Sequence, residues 1–323
     1  MLAVQMCLSG CGTDRSQFKI SFVSGTATLY DAGFNQNAWE GVLAFANEHQ
    51  IETESLNSFS ADAMRANLKS TENQQSGLVI VMSDEIMQEV SSFADQHRNL
   101  SFAVIDSAAD QAADNVSLIR FRQEEGAFLA GYLAANLSKT KKVGFIGGEQ
   151  SEVIRTFDYG FRGGVAYAGK QVNCMTAYVG SFDDALAGKQ AAEEMMESGV
   201  DVSYHAAGSS GNGVIDAVKN AGKYVIGTDT DQSLLAPHNV VASVLKDTRA
   251  AAEWISSAAY EACPKKIGGI ESLGLKEGGI SMVYNEEALS RAILVKMEEL
   301  TEKLKAGTIT PPTDESSLKA MSK

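Results

Sequence analysis

The sequence is poor in residues and motifs that mark several classes of protein. Only four of its 323 residues are cysteine and only four are proline, which excludes a disulfide scaffold and a collagen-like chain. No run of about 18 apolar residues occurs that could cross a bilayer as a helix. Basic residues are also few: 27 Lys and Arg stand against 41 Asp and Glu, a formal net charge of −14. Because phosphates would repel such a chain, no nucleic acid is expected as a partner.

The sequence patterns of common enzymes and metal sites are also missing. Gly208–Gly213 reads GSSGNG and lacks the Lys and the Ser or Thr of a phosphate-binding loop, and no G-x-S-x-G elbow occurs. The histidines are scattered, without the spacing of zinc ligands. Cys174 and Cys263 are expected to be small core residues. The sequence therefore predicts no enzyme activity, no metal site and no cofactor.

The chain does contain a regular alternation of short apolar runs and helical patterns. The first series of predicted strands is Lys19–Gly25, Ile51–Leu56, Gly77–Met82, Ser101–Asp106 and Val116–Phe121. The second series is Lys142–Gly147, Val172–Gly180, Val200–Gly208, Lys223–Asp229, Val240–Lys246 and Ile280–Asn285. Near-continuous apolar strands are typical of parallel sheets covered on both faces. Two such series, alternating with helices, predict an α/β fold of two doubly wound lobes.

In open α/β sheets, ligands bind outside the carboxyl ends of the strands. Two lobes that face each other would place these ends on the two sides of one cleft. Polar and aromatic residues just beyond the predicted strands are therefore the candidates for ligand binding: Asp31, Phe34, Asn35, Asp106, Tyr204, His205, Gly208, Asp229 and Lys246.

Several of these candidates also have a structural alternative. Asp31 could cap the helix that begins near Phe34, and the Phe34 ring could belong to the core. Asp106 could be an ordinary turn residue at the end of its strand. Tyr204 could stack on a ligand ring and His205 could form a hydrogen bond with it, but either side chain could also be a packed rim residue. The local sequence leaves these alternatives open.

The first eleven residues, MLAVQMCLSGC, resemble a bacterial lipobox. In such signals the cysteine that follows Leu-Ser-Gly is acylated, so Cys11 would carry the lipid. Because each buried methylene contributes about 0.8 kcal/mol, two or three acyl chains would hold the protein on a membrane. The alternative is a frayed apolar N-terminus. The lipobox predicts a protein on the extracytoplasmic face of the cell membrane, attached through the lipid alone.

Several segments share the order and spacing of a known family. Asp31–Gly41 fits the pattern D-x-S-F-N-Q-x-x-x-E-G, with Gly33 in place of Ser. Further segments are EGAFLAGY (125–132), KVGFIGG (142–148), GFRGG (160–164), YHAAGSSGNG (204–213) and IGTDTDQ (226–232). From about Phe18 to Leu304 the chain thereby resembles the basic membrane protein (BMP) family of bacterial lipoproteins, also called the purine nucleoside receptor A family.

The resemblance implies the fold of type I periplasmic binding proteins, with two lobes joined by three crossovers. These crossovers are expected near Val116–Gln123, Asn239–Thr248 and Gly274–Met282. The implied division of the chain is a signal and tether (1–17), an N-terminal lobe (18–120 plus 247–277), a C-terminal lobe (121–246 plus 278–306) and a tail (307–323).

The resemblance also implies a function without chemistry. A protein of this kind is the substrate-binding lipoprotein of an ABC importer, and it closes its two lobes on a purine nucleoside such as guanosine, inosine or adenosine. Its partners would be that nucleoside and a membrane permease, and the protein would be a monomer. The alternatives are a receptor of the same family for another small ligand, a sugar or an autoinducer, and a surface or regulatory lipoprotein.

Roles for individual residues follow from the same resemblance. Phe34 and Tyr204 would sandwich the base, with His205 as the alternative to Tyr204. Asn35 and Asp106 would form hydrogen bonds with the edge of the base.

The sugar would bind to a separate set of residues. Asp229 and Lys246 would hold the ribose hydroxyls, with support from the backbone near Gly208.

Overall fold

The computed structural model of the protein describes Arg15 and residues 17–321. Cys11, the predicted site of lipidation, lies outside the described residues. The strands are β1 (Phe18–Val23), β2 (Glu52–Leu56), β3 (Ser76–Met82), β4 (Leu100–Ile105), β5 (Val116–Phe121), β6 (Lys142–Gly147), β7 (Asn173–Tyr178), β8 (Val202–Ala206), β9 (Tyr224–Asp229), β10 (Val240–Lys246), β11 (Gly269–Leu273) and β12 (Ile280–Tyr284).

The helices alternate with these strands along most of the chain. They are α1 (Phe34–His49), α2 (Ala61–Ser70), α3 (Met87–Gln96), α4 (Gln123–Leu137), α5 (Glu152–Tyr167), α6 (Ala185–Glu197), α7 (Ser210–Asn220), α8 (Thr248–Ala262), α9 (Arg291–Lys305) and α10 (Glu315–Met321). No helix of the described residues is both long enough and apolar enough to cross a membrane.

Two six-stranded sheets form within the described part of the chain. The first sheet has the order β11-β5-β4-β3-β1-β2, and all its pairs are parallel. The second has the order β12-β10-β9-β8-β6-β7, and its pairs are parallel except that β12 runs antiparallel to β10. The predicted fold class, two doubly wound α/β lobes, is confirmed.

Most predicted strands are confirmed, but some of their ends are wrong. Two predicted strands run too far, to Gly180 and to Gly208, because these glycines have φ values of 86° and 53°. A positive φ belongs to a turn and ends the extended backbone. The sequence analysis missed β11 altogether. The reason is that Gly269–Leu273 is an edge strand whose residues are mostly exposed, so it lacks an apolar run.

Helices cover both faces of each sheet, which explains why the strands are apolar. On the first sheet α1 and α8 pack together on one face, and α2 and α3 lie on the other. On the second sheet α4 and α5 form one pair, and α6 and α7 form the other. Central strands such as β3 and β4 are therefore buried almost throughout.

The chain passes between the two sheets three times. It leaves the first sheet after β5, returns after β10 by way of α8 to β11, and crosses again from β11 to β12. Arg122 ties the first and third of these connections together. Its guanidinium donates to Glu125 at 2.6 Å, to the carbonyl of Ser272 at 3.1 Å and to Glu277. The three crossovers expected from the resemblance are confirmed.

Candidate functional site

A cavity lies between the two sheets, at the carboxyl ends of their strands. It encloses about 770 Å³ of space, part of it open to solvent. Its first wall consists of residues that follow β1, β3 and β4, and its second wall consists of α5 and the ends of β8, β9 and β10.

Most of the predicted ligand-binding residues meet in this cavity. The residues that line it are Asp31, Phe34, Asn35, Asp106, Gly208, Asp229 and Lys246. Phe34 and Asp229 come from opposite lobes and share this one space, as a ligand bound by both lobes requires. Tyr204 and His205 do not line it, and both predictions need correction.

Tyr204 cannot stack on a ligand in the cleft, because its side chain is buried in the core of the second lobe. It is 0% exposed, and its ring packs against Phe145, Phe157 and Phe161 at centroid distances of 5.8, 6.4 and 5.6 Å. Side chains alternate between the two faces of a strand, and this position of β8 faces α5. Burial raises the pKa of the Tyr204 hydroxyl well above its ordinary value.

His205 faces the opposite side of the same strand and packs beneath α7. The ring is 1% exposed, and a Cβ placed on Gly211 would lie 2.2 Å from its Cε1 atom. Its Nε2 lies 2.9 Å from Oε1 of Gln232, and burial lowers the pKa of the ring to about 4. His205 is therefore a neutral packing residue that orients Gln232, and the prediction that it could replace Tyr204 as the second ring is wrong.

The aromatic residues that the second lobe does contribute to the cavity are Phe182 and Phe157. Phe182 follows β7, and a Cβ placed on Gly148 would lie 2.4 Å from its ring, so the glycine makes room for this side chain. The backbone of Gly208 also lies against Phe182. The sequence analysis missed both rings. The one available signal was the position of Phe182 just beyond a predicted strand.

Asp31 and Asn35 brace the loop that carries Phe34. The Asp31 carboxylate accepts from the amides of Gly33 at 3.0 Å, Asn35 at 2.9 Å and Gln36 at 3.2 Å, so it caps α1. The Asn35 side chain accepts from the amide of Gly25 at 2.8 Å and donates to Asp31 at 3.0 Å. The Asn35 amide also donates to the carbonyl of Thr28 at 3.5 Å. Both side chains therefore position the first wall of the cavity, and only an acceptor lone pair of Asn35 is left for a ligand.

Asp106 and Lys246 form a buried ion pair that joins the two lobes. The Lys246 ammonium lies 2.9 and 2.8 Å from the two carboxylate oxygens of Asp106. Asp106 follows β4 of the first sheet, and Lys246 ends β10 of the second. The residues are only 8% and 4% exposed, so the attraction between them is weakly screened. Asp106 holds a φ of 71°, a costly conformation for a non-glycine residue and one that clusters at functional sites.

The Lys246 ammonium also lies among aromatic rings. Its Nζ is 4.9 Å from the centre of the Phe157 ring, 5.3 Å from that of Phe121 and 5.7 Å from that of Phe34. Ring faces attract a cation at such distances, which offsets part of the cost of burying the ammonium. Lys246 is therefore held in place from both lobes.

Asp229 ends β9 and provides a carboxylate on the second wall. Like Asp106, it has a positive φ, of 69°. It also lies close to the loop of the first wall, because a Cβ placed on Gly33 would lie 3.7 Å from the Cβ of Asp229. Burial raises its pKa to about 6, and the charges of Asp31 and Asp106 act in the same direction, while Lys246 lowers it. Near neutral pH the carboxylate is ionised and can accept hydrogen bonds from neighbouring hydroxyl groups of a ligand.

The chemistry of the cavity is that of recognition. Within the described residues no group of His, Cys, Asp and Glu side chains is arranged to hold a metal ion. The aromatic rings, the ion pair and the carboxylate offer stacking surfaces, acceptors and one cationic donor to a small ligand.

Comparison with known proteins identifies the family. A family model described as "ABC transporter substrate-binding protein PnrA-like" matches residues 19–315. The chain is 34% identical to basic membrane protein A of Borreliella burgdorferi over 319 residues, and this alignment covers 97% of this chain and 94% of that protein. It is 36% identical to basic membrane protein D of the same species over 295 residues, and this alignment covers 88% of this chain and 85% of basic membrane protein D.

A solved structure extends the likeness to the fold. A solute-binding protein of an ABC transporter system from Aeropyrum pernix superposes with a TM-score of 0.83 at 26% identity, over 94% of this chain and 98% of that chain. Substrate-binding proteins of ABC transporters bind a small ligand outside the cytoplasm and work with a membrane permease; they are not enzymes. With the family model and these relatives each spanning most of the sequence, the chain belongs to the PnrA-like family of ABC transporter substrate-binding proteins.

Proposed function

We propose that this protein captures a purine nucleoside, guanosine, inosine or adenosine, between its two lobes and delivers it to the permease of an ABC importer. The observation that carries the proposal is the single cavity in which Phe34 and Phe182, from opposite lobes, line the same space as Asp106, Asp229 and Lys246. The family membership supports the importer role.

The base would lie between the rings of Phe34 and Phe182. Both rings are partly exposed to the cavity, in contrast to Tyr204. Stacking of a base on an aromatic side chain contributes about 1–3 kcal/mol and tolerates any base. The Asp106 carboxylate would accept from N–H groups at the edge of the base, and the spare lone pair of Asn35 would add one further acceptor.

The ribose would lie toward Asp229 and Lys246. One carboxylate can accept from two neighbouring hydroxyl groups, and the Lys246 ammonium, which Asp106 engages at 2.8 Å, has a further N–H to donate. Hydrogen bonds to charged groups contribute about 1.5–3 kcal/mol each, so two such bonds would distinguish a nucleoside from a free base.

Binding would couple to closure of the lobes. A ligand that touches Phe34 on one wall and Phe182 and Asp229 on the other has its full set of contacts only when the lobes are closed, so it favours that state. In the complete mechanism Cys11 would carry a lipid anchor, and the protein would act as a monomer on the extracytoplasmic face of the membrane. The lobe boundaries implied by the resemblance, near residues 120, 247 and 278, are part of this proposal.

The direct test is isothermal titration calorimetry of the protein with guanosine, inosine and adenosine. We expect micromolar or tighter binding of at least one of them, while guanine and ribose alone bind much more weakly, since each engages half of the cavity. Thermal shift with the same panel gives an independent readout, because a ligand that binds only the folded state stabilises it. Failure of every nucleoside, or tighter binding of a sugar, would contradict the proposal.

A further inference from the structure

We infer that a groove beside the ligand cavity is the docking surface for the permease, and that it receives a permease loop in which an apolar side chain stands next to Lys or Arg. This role rests on the proposed function and adds to it the surface that the partner contacts. The groove, called the docking groove, lies between residues 31–34 of the first lobe and residues 212–219 and 230–235 of the second.

The docking groove adjoins the ligand cavity but has walls of its own. Five residues, among them Phe34 and Asp229, line both spaces, because the two meet there. The outer part of the groove is lined by α7 and by residues 230–235, and neither segment lines the ligand cavity. A partner bound in this outer part would therefore contact the protein without taking the place of the ligand.

Two leucines of the second lobe are exposed to solvent at the docking groove. Leu234 is 89% exposed and Leu235 is 49% exposed, although both side chains are large and apolar. Both line the groove, together with Ile215 of α7. Single exposed apolar residues are common on protein surfaces, but neighbouring ones at the edge of a groove with a polar rim mark a contact with another protein.

The segment that carries these leucines is braced from inside the lobe. The side-chain oxygen of Gln232 accepts from the amide of Thr228 at 3.0 Å, and Nε2 of the buried His205 ring lies 2.9 Å from the same oxygen. The backbone amide of Gln232 donates to the hydroxyl of Ser243 at 3.1 Å, and that of Leu235 donates to the carbonyl of Gln232 at 3.0 Å. A fixed loop thus presents the leucines, so docking requires little ordering of the backbone.

The docking groove carries a surplus of negative charge. Its described lining residues include four carboxylates: Asp31, Asp216, Asp229 and Asp231. Lys219 is the cationic residue among them. Lys189 forms an ion pair with Asp216 at 3.0 Å, so three uncompensated carboxylates stand against one ammonium group. Such a surface attracts the Lys and Arg side chains of a partner and favours encounter with it.

The same charge argues against two other occupants of an exposed apolar groove. Anionic lipid headgroups attract basic segments and would repel this acidic one. A second copy of the chain would bring the same carboxylates against the groove, and like charges in contact are unfavourable. Substrate-binding proteins of ABC transporters work with a membrane permease, and a permease loop that combines an apolar side chain with Lys or Arg complements both the leucines and the carboxylates.

A partner in the docking groove would contact both lobes at once. Residues 31–34 lead into α1 of the first lobe, whereas α7 and Leu234 belong to the second. Because the walls come from different lobes, the width of the groove changes when the lobes move. A loop that fits one width binds one arrangement of the lobes better than the other, so docking and ligand capture would be coupled.

The test separates docking from ligand binding. Right-side-out membrane vesicles from the source bacterium, prepared without its own copy of this protein and loaded with ATP, are given radiolabelled guanosine at saturation and increasing amounts of the purified full chain. Leu234→Asp should raise the protein concentration for half-maximal uptake at least about tenfold, because a charge replaces an apolar anchor, and should leave guanosine affinity in calorimetry unchanged. Val295→Asp, at an exposed apolar residue of α9, is the matched control and should change neither quantity.

Two charge variants should shift the same concentration in opposite directions. Asp231→Asn removes a carboxylate but keeps the oxygen that accepts from the amide of Ser233 at 2.9 Å, and it should raise the half-maximal concentration several-fold. Lys219→Gln removes the cation of the groove and should lower that concentration several-fold. Both shifts should shrink at high ionic strength, because salt screens exposed charges.

Several results would overturn the docking role. Uptake that responds equally to Leu234→Asp and Val295→Asp, or to neither, would contradict it, and so would a loss of guanosine affinity that accounts for the loss of uptake. Shifts of Asp231→Asn and Lys219→Gln in the same direction would exclude a basic partner. A dimer in light scattering that Leu234→Asp dissociates would assign the groove to a second copy.

The proposed function fails in a different measurement. If guanosine, inosine and adenosine do not bind to the wild type in calorimetry, that function is wrong and the docking role falls with it. If they bind normally and uptake ignores the groove variants, only the docking role is wrong.

Discussion

At the scale of single residues, the position of Asp229 in the cavity wall lowers the stability of the fold. Its pKa is raised to about 6 by burial, so the folded protein holds the proton more tightly than the unfolded chain does. As pH rises from about 4 to about 6, the unfolded chain loses this proton first, and the folded state loses up to about 2–3 kcal/mol of relative stability. In the proposed function, the hydroxyl donors of a ligand would compensate the ionised carboxylate further.

We predict that Asp229→Asn weakens guanosine binding by about 10–100-fold, because a charge-assisted acceptor becomes a neutral amide. The same change should raise the free energy of unfolding by about 2–3 kcal/mol at pH 7, and this gain should vanish below about pH 3, where the wild-type carboxyl is protonated in both states. Calorimetry and chemical denaturation measure the two effects. Asp231→Asn is the control. An Asp229→Asn variant with wild-type affinity would contradict the proposal that Asp229 binds the ribose.

The affinity of the wild type for guanosine should also depend on pH. A protonated Asp229 cannot accept from two hydroxyls, so affinity should fall as pH drops through about 6. Titrations between pH 5 and pH 8 with Asp229→Asn in parallel isolate this group, since the variant should lack the step. An identical step in the variant would assign the titration to another carboxyl, such as Glu124, whose pKa burial raises to about 7.

The two candidate rings of the second lobe can be told apart directly. Phe182→Ala should weaken nucleoside binding by about 5–150-fold, the range for loss of one stacking face. Tyr204→Phe should leave affinity unchanged, because this ring is 0% exposed and packs among other aromatic residues. Titration calorimetry of both variants decides the matter, and the reverse order of effects would restore Tyr204 as the stacking residue.

At the scale of secondary-structure elements, glycine determines how closely the helices of the second lobe approach. A Cβ on Gly131 of α4 would lie 1.9 Å from the carbonyl oxygen of Phe161 in α5. A Cβ on Gly164 of α5 would lie 2.0 Å from the carbonyl oxygen of Phe128 in α4. The contact is thus backbone against backbone, and the two helices cannot separate without disturbing the aromatic cluster around Tyr204.

We predict that Gly131→Ala lowers the free energy of unfolding by about 1–3 kcal/mol or more, because the backbone of α5 must shift. Gly33→Ala is the matched control, since its added Cβ would meet no atom closer than 3.7 Å. Denaturant titration measures both variants. A neutral Gly131→Ala variant would show that the α4–α5 contact can loosen at no cost.

At the scale of the whole molecule, the Lys246–Asp106 pair connects the lobes beside the crossovers. Removal of one partner from a buried pair costs about 3–5 kcal/mol when the other charge stays buried. The two lobes offer a way to avoid this cost, because opening would return Asp106 to water. A single substitution can thus shift the equilibrium between lobe arrangements.

We predict that Lys246→Met increases the radius of gyration, measured by small-angle X-ray scattering without added nucleoside. Lys305→Met is the control, because it removes an exposed ion pair within α9 and should leave the radius unchanged. An unaltered radius in Lys246→Met, together with an unchanged melting temperature, would show that the pair does not hold the lobes together.

The sequence by itself determined the fold class, most strands and the strand ends at which the site lies. The fold class and the strands follow from local sequence patterns, because the apolar runs and their spacing identify strands covered by helices. The strand ends therefore predict Phe34, Asp106, Asp229 and Lys246 as members of one cavity, which the structure contains. The edge strand β11 escaped because an exposed strand carries no such pattern.

Only the tertiary structure decided which face of a strand meets the ligand. Tyr204 and His205 follow one another on β8, so one faces α5 and the other α7, and neither lines the cavity. Phe182 lines it instead, from a loop whose path depends on contacts with the backbone of Gly148 and Gly208, residues distant from it in the chain. The physical reason is that burial is a property of the packed molecule: a sequence pattern states how apolar a residue is, but not which neighbours will surround it.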